Sequence, residues 1–129
     1  MNLKYSSILF LTLVLLLTAC RDTPKQSCRR FLHAYLAGDF YKAQQYATTE
    51  TKEMLVLLNQ YFKQAMDTVE VNRIENANLR IKSLQNEHVT DSTAVLFCKF
   101  YIDNKLDSTR VLMVKEGERW LAKFPYTDR

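Results

Sequence analysis

Along this chain the spacing of apolar residues changes once, from helical to alternating, between residues 67 and 79. A stripe recurring every three or four residues buries one side of a helix, whereas strict alternation buries one face of a strand. Before the change, Cys28, Phe31, Leu32, Tyr35 and Leu36 stand at i, i+3, i+4, i+7 and i+8. After it, Ala94, Leu96, Cys98, Phe100 and Ile102 alternate with Val95, Phe97, Lys99, Tyr101 and Asp103. Helices first and strands second predict an α+β fold, three N-terminal helices packed on an antiparallel sheet of about four strands.

Local punctuation supports each element. Thr23, Pro24 and Gln26 form a T-x-x-Q capping box with proline at the first helical position. Gly38 suits the left-handed residue that ends this helix, and Asp39 caps a short second one with Phe40, Ala43, Tyr46 and Ala47 inward. Thr48 or Thr49 caps a third helix, whose Met54, Leu55, Leu58, Tyr61, Phe62 and Met66 recur at helical spacing. Residues 69–76 read equally as linker or strand. An alternating segment begins at Leu79-Arg80-Ile81-Lys82, and residues 88–92 read as a turn. Strands are expected over residues 93–103, around 108–115 and over 119–124, with turns at Asp103-Asn104-Lys105 and Glu116-Gly117.

Ahead of the first helix stands a leader. Lys4 gives it a positive start, Ile8 to Leu17 an apolar stretch, and Leu17-Thr18-Ala19-Cys20 a small-residue cleavage site ending in cysteine. The ten residues from Ile8 to Leu17 would rise only about 15 Å as a helix, half of a bilayer's hydrocarbon core, which favours a signal over a membrane span. The motif resembles a lipobox, and the resemblance implies a diacylglyceryl thioether on Cys20, cleavage before it and acylation of the new amine. On this reading residues 1–19 are a signal peptide, 20–23 a lipidated tether and 24–129 one domain. Three tether residues span about 10 Å at most, so the domain is expected close against the bilayer. Arg21, Lys25, Arg29 and Arg30 lie at that end, as a headgroup-facing cluster or an ordinary basic helix face. Arg21 stands where lipoproteins retained at the inner membrane carry aspartate, so the resemblance favours an outer-membrane location in the cell envelope.

At 129 residues the chain has room for one domain. Losing Lys4 with the leader leaves 17 basic residues against 14 acidic, net +3, with no run of five like charges. So small and dispersed an excess argues against nucleic acid as a partner.

The stretch Phe31-Leu32-His33-Ala34-Tyr35-Leu36-Ala37-Gly38-Asp39-Phe40-Tyr41-Lys42-Ala43 combines an aromatic-Leu pair, a Gly-Asp between helices and an alanine four residues after the aspartate. With Tyr46-Ala47-Thr48 and the closing Lys115-Glu116-Gly117-Glu118-Arg119-Trp120, it resembles the nuclear-transport-factor-like, or cystatin-like, superfamily. Within it, the pattern is similar to an uncharacterised lipoprotein branch, a domain-of-unknown-function group. The resemblance covers residues 24 to 124 in outline and implies a curved sheet wrapped around the first helix, a cone able to hold a ligand.

Enzymes of that superfamily, ketosteroid isomerases and dehydratases among them, work with a pocket acid or a His–Asp pair. No carboxylate here stands out for such work: Asp39 is accounted for as a cap, Asp91, Asp103 and Asp107 fall at turns or strand ends, and Glu50, Glu53 and Glu70 lack inward periodicity. His33 lies off the apolar stripe and His88 in a turn. No C-x-x-C or H-x-x-x-H spacing suggests a metal, and two glycines build no phosphate loop, so the chain is expected to be non-catalytic and free of cofactors. Cys28 and Cys98 both point inward, from the first helix and from the sheet beneath it; buried free thiols are favoured over a bridge closing about 70 residues. Phe97 and Tyr101 on the wetter sheet face, with Tyr126 nearby, are either simple packing or a ligand or interaction surface. The expected partners are the bilayer, through acylated Cys20, and a small ligand or envelope protein. The alternatives are a subunit that dimerises through the sheet face and, ranked third, an isomerase- or dehydratase-like enzyme.

Overall fold

Thr23 opens the first helix, α1 (Pro24–Leu36), by accepting the Gln26 N–H on its hydroxyl oxygen at 3.2 Å. The structure, a computed structural model, describes residues 6–8, 22–65 and 78–127. The rest of the leader, Cys20, Met66, Glu70 and the ambiguous residues 69–76 lie outside the described residues. At its other end α1 closes in a Schellman motif: the Gly38 N–H bonds the Tyr35 carbonyl at 3.1 Å and the Asp39 N–H bonds the Ala34 carbonyl at 2.9 Å. Gly38 adopts φ +76°, where a side chain would strain the backbone. The Asp39 carboxylate then accepts the Lys42 N–H at 3.1 Å and starts α2 (Phe40–Ala43), which tightens into a 3₁₀ turn over Gln44–Tyr46.

Helix α3 (Thr49–Ala65) follows Thr48, whose backbone carbonyl accepts the Lys52 N–H. The Thr48 hydroxyl bonds Thr51 rather than a helical N–H, at 3.1 Å. Thr51, itself buried, also holds Phe124 by both backbone groups, accepting its N–H at 3.1 Å and donating to its carbonyl at 3.3 Å. That clasp joins the start of α3 to the end of the last strand. The expected inward stripe of α3 holds only in part. Leu55 is buried and Met54, Leu58 and Phe62 are half-buried, but Tyr61 is 64% exposed, since no element among the described residues covers that flank of the helix.

Among the described residues four strands form one open antiparallel sheet in the order of the chain: β1 (Leu79–Val89), β2 (Thr93–Ile102), β3 (Lys105–Glu116) and β4 (Arg119–Lys123). The architecture is the expected α+β, with α1 against one face of the sheet. The register of β1 with β2 shifts between Ile81 and Ser83 and again between Asn86 and His88, and such bulges bend a strand. Besides one-residue differences at the ends of β2 and β4, expected and observed boundaries differ in three places. His88 and Val89 belong to β1, paired with Val95 and Ala94, and only residues 90–92 turn. Strand β3 starts at Lys105, directly after the tight turn at Asp103 and Asn104, both at positive φ. The last turn centres on Gly117 and Glu118, with Gly117 at φ +62°.

The face of β2 expected inward is inward. Ala94, Leu96, Cys98 and Phe100 join Val111 and Met113 of β3, Trp120 and Ala122 of β4, and Cys28, Phe31 and Leu32 of α1 in one core. Nine of these, Cys28, Phe31, Leu32, Ala94, Leu96, Cys98, Val111, Met113 and Ala122, are 0% exposed. The space between α1 and the middle of the sheet is therefore filled with side chains. Where β4 would be an open edge, the Thr48 N–H bonds the Ala122 carbonyl at 2.9 Å and the Arg119 guanidinium bonds the Gln45 carbonyl at 2.7 Å.

Candidate functional site

Since α1 fills the sheet's inner face, the hollows described lie outside it, and an apolar one is among the helices. The Tyr35 ring stands at its base, with ring centroids 4.9 Å from Phe124, 5.6 Å from Phe40 and 5.7 Å from Phe31. Phe40 in turn meets Phe62 of α3 edge-on at 5.7 Å. The near-parallel Phe31–Tyr35 pair and the edge-on contacts of Tyr35 and Phe40 are geometries that aromatic quadrupoles favour. They leave an apolar hollow of about 320 Å³ between Tyr35, Leu36, Phe40, Leu58, Tyr61 and Phe62. Burial pushes the Tyr35 phenol above its ordinary pKa. A second, more polar hollow of about 550 Å³ shares Gly38 and Phe62 with the first and adds Asp39, Tyr41, Asn59 and Lys63. An apolar pocket of this size with a few polar groups at one end is the usual form of a small-molecule site.

Phe97 and Tyr101 lie on the outer sheet face, as their alternation with the core residues requires, but their rings are already occupied. The Arg80 guanidinium lies 4.8 Å above the Tyr101 ring, with the Lys82 ammonium at 5.9 Å. Arg110 lies 4.9 Å above Phe97 and Lys99 lies 5.8 Å from it. Arg110 reaches on to Glu87 in a two-pronged bond, 2.9 and 3.2 Å. Tyr126 lines a separate hollow of about 590 Å³ with Glu87, Thr109, Arg110, Phe124 and Pro125. Arg110 thus joins Phe97 to the hollow of Tyr126, while Tyr101 sits under its own pair of cations.

Cys28 and Cys98 are fully buried, unbridged thiols on the facing surfaces of α1 and β2. Burial pushes the Cys28 thiol up to about 12, with the nearby Cys98 adding to the effect and Arg29 opposing it. Burial pushes Cys98 up to about 11, again against Arg29. At pH 8 only about one such thiol in a thousand, or fewer, is the reactive thiolate. Native protein at pH 8 is therefore expected to resist iodoacetamide at both positions, whereas denatured, unreduced protein takes up label at both. The same shifts carry a sign for stability. Between about pH 9 and pH 11 the unfolded chain gives up thiol protons that the folded chain keeps, so folding stability falls as pH rises through that window. Thermal melts of Cys28→Ala/Cys98→Ala across it should slope less steeply than wild type; rapid labelling of native protein at pH 8 would contradict both expectations.

A fourth group went unrecognised as a cluster in the sequence. Arg29, Arg30 and His33 of α1 face Lys42 of α2 and Tyr46 of the 3₁₀ turn across a cleft of about 290 Å³ floored by Ala34. The two arginines were legible as a basic helix face and His33 as exposed, but only the return of the chain through Gly38 and Asp39 brings Lys42 and Tyr46 opposite them. The proposed catalytic alternatives find no such assembly. Asp39 is engaged with the Lys42 N–H, Asp103 with the Asn78 N–H at 3.0 Å and Asp107 with the Ser108 N–H at 2.7 Å, all three exposed. Among the described residues no three His, Cys, Asp or Glu side chains gather as metal ligands would, and no helix is long and apolar enough to cross a membrane.

No family model matches the chain, and no curated protein does. Among solved structures it is similar to an NTF-2-like protein of unknown function from Shewanella oneidensis MR-1, at 15% identity, 75% coverage of this chain, 88% of that one and a TM-score of 0.47.

Proposed function

We propose that the chain is a lipid-anchored, non-catalytic binding module of the bacterial cell envelope, whose hollow among the three helices takes a small amphipathic molecule. The observation that carries the reading is the pairing of two hollows across Gly38 and Phe62, one apolar and ringed by Tyr35, Phe40 and Tyr61, the other more polar, with Asn59 and Lys63. A ligand's hydrocarbon or ring would lie in the first and its polar head in the second. Exposed carboxylates already engaged in caps and turns support binding over acid–base chemistry, which needs a proton-transfer group held against the substrate. The motif around Cys20 supports the anchor, and the outer membrane remains its favoured site.

Native mass spectrometry of a soluble Cys20→Ser form made without the leader tests the pocket. A monomer carrying a retained small-molecule mass is the expected result, and Phe62→Trp, which fills the wall shared by the two hollows, should release it. A bare monomer at every extraction condition would sink the small-ligand reading. A bare dimer would move the proposal to the alternative in which the sheet face joins two copies.

A further inference from the structure

We propose that the cleft between α1 and α2 is an anion site that takes the phosphate of an anionic phospholipid headgroup, holding the domain down on the membrane to which Cys20 tethers it. This rests on the lipid-anchor reading and adds to it a second, non-covalent contact with the bilayer. Three features of the cleft support it. First, it is lined by Arg29, Arg30, His33, Lys42 and Tyr46, residues of α1, α2 and the 3₁₀ turn that surround about 290 Å³, ample for a phosphate group. Planar guanidinium forks bind phosphate oxygens in pairs, and a lysine adds a compact charge. Second, part of the charge is left without an ion-pair partner. Asp22 pairs with Arg30 at 3.6 Å while its other oxygen accepts the Ser27 hydroxyl at 2.9 Å, so Arg30 is partly neutralised. Among the described residues no carboxylate lies within ion-pair distance of Arg29, His33 or Lys42.

Third, the cleft lies within reach of the membrane. The tether residues 21–23 extend about 10 Å at most, and Arg29 and His33 stand five and nine residues past Pro24, about 8 and 14 Å along the helix. The Ser27–Asp22 bond pins the end of that tether to α1, so the cleft and the lipid attachment are parts of one short assembly. Basic residues held at an anionic surface are drawn to it over about a Debye length, and a walled cleft adds selection for the phosphate itself.

The test uses the full chain, purified from membranes in a neutral detergent, with native mass spectrometry after titration with phosphatidylglycerol, phosphatidylcholine or free glycerol phosphate. Wild type should keep one phosphatidylglycerol, and Arg29→Gln/Lys42→Gln should lower its retention about tenfold or more. Arg80→Gln/Lys82→Gln, on the outer sheet face, removes the same charge and should leave retention unchanged. Equal loss in the two variants, equal retention of phosphatidylcholine, or no retention by wild type would each overturn the proposal. Glycerol phosphate held as tightly as the lipid would overturn the membrane source while keeping a phosphate site. The mass of the same intact chain reports separately whether Cys20 carries its lipid, so failure of the anchor is not mistaken for failure of the cleft.

Discussion

Replacing Cys20 with serine is expected to abolish fatty-acid incorporation into the chain, down to background, when the precursor is made in a bacterium fed a labelled fatty acid. On the proposed lipid-anchor reading the Cys20 thiolate is the nucleophile that takes the diacylglyceryl group, and a serine hydroxyl at neutral pH does not replace it. The effect is all-or-none because, on that reading, every acyl group enters through Cys20, on its sulfur or on the amine freed by cleavage before it. Each buried methylene is worth about 0.8 kcal/mol, so two or three acyl chains hold a protein on a bilayer while one chain alone does so marginally. Intact mass makes the result specific. The wild-type chain should begin at residue 20 with acyl groups added, and Cys20→Ser should keep the leader uncut. Label remaining on the serine variant would place the lipid elsewhere, and a wild-type chain cut but unlabelled would make the leader an ordinary secretory signal.

How far such expectations can be pushed depends on whether the decisive interaction is local. Thr23-Pro24 and Gly38-Asp39 were legible because a cap is built from residues within four positions of one another: Thr23 and Asp39 cap as read, Pro24 opens α1 and Gly38 ends it. The faces of β2 were legible for the same kind of reason, since alternation alone separates Cys98 and Phe100 from Phe97 and Tyr101. Strand β1 was harder. It is an edge strand with two bulges, its outer half from Gln85 to Val89 is exposed on both sides, and its polar run looks like a loop until it is paired with β2. The candidate sites depend on contacts that no local pattern encodes. Arg80 from β1 and Arg110 from β3 cover the rings of β2, and Lys42 meets Arg29 only because the chain reverses at Gly38. A stripe at helical spacing also fails to say which flank will be covered, which is why Tyr61 reads as core and stands in solvent.

That last distinction can be measured. Phe31→Ala is expected to lower the unfolding free energy by about 3–5 kcal/mol, the range for removing a fully buried aromatic ring and leaving a cavity. Phe31 has no accessible surface, stacks on Tyr35 and tilts against Phe124, both at 5.7 Å between ring centroids. Domains of this size hold about 5–15 kcal/mol in all, so the loss should show as a fall of about 1–3 M in the urea midpoint with an unchanged slope. Tyr61→Ala, from the same kind of periodic stripe, should cost about 0.5 kcal/mol or less, as exposed positions do. Combining Phe31→Ala with Phe124→Ala should give less than the sum of the two, by about 0.5–1.5 kcal/mol, since one ring-on-ring contact is lost only once. A Tyr61→Ala penalty as large as that of Phe31→Ala would mean that the exposed flank of α3 is covered in solution. The helical hollow would then be an interface between chains, and concentration dependence of the same unfolding curves would identify it as one.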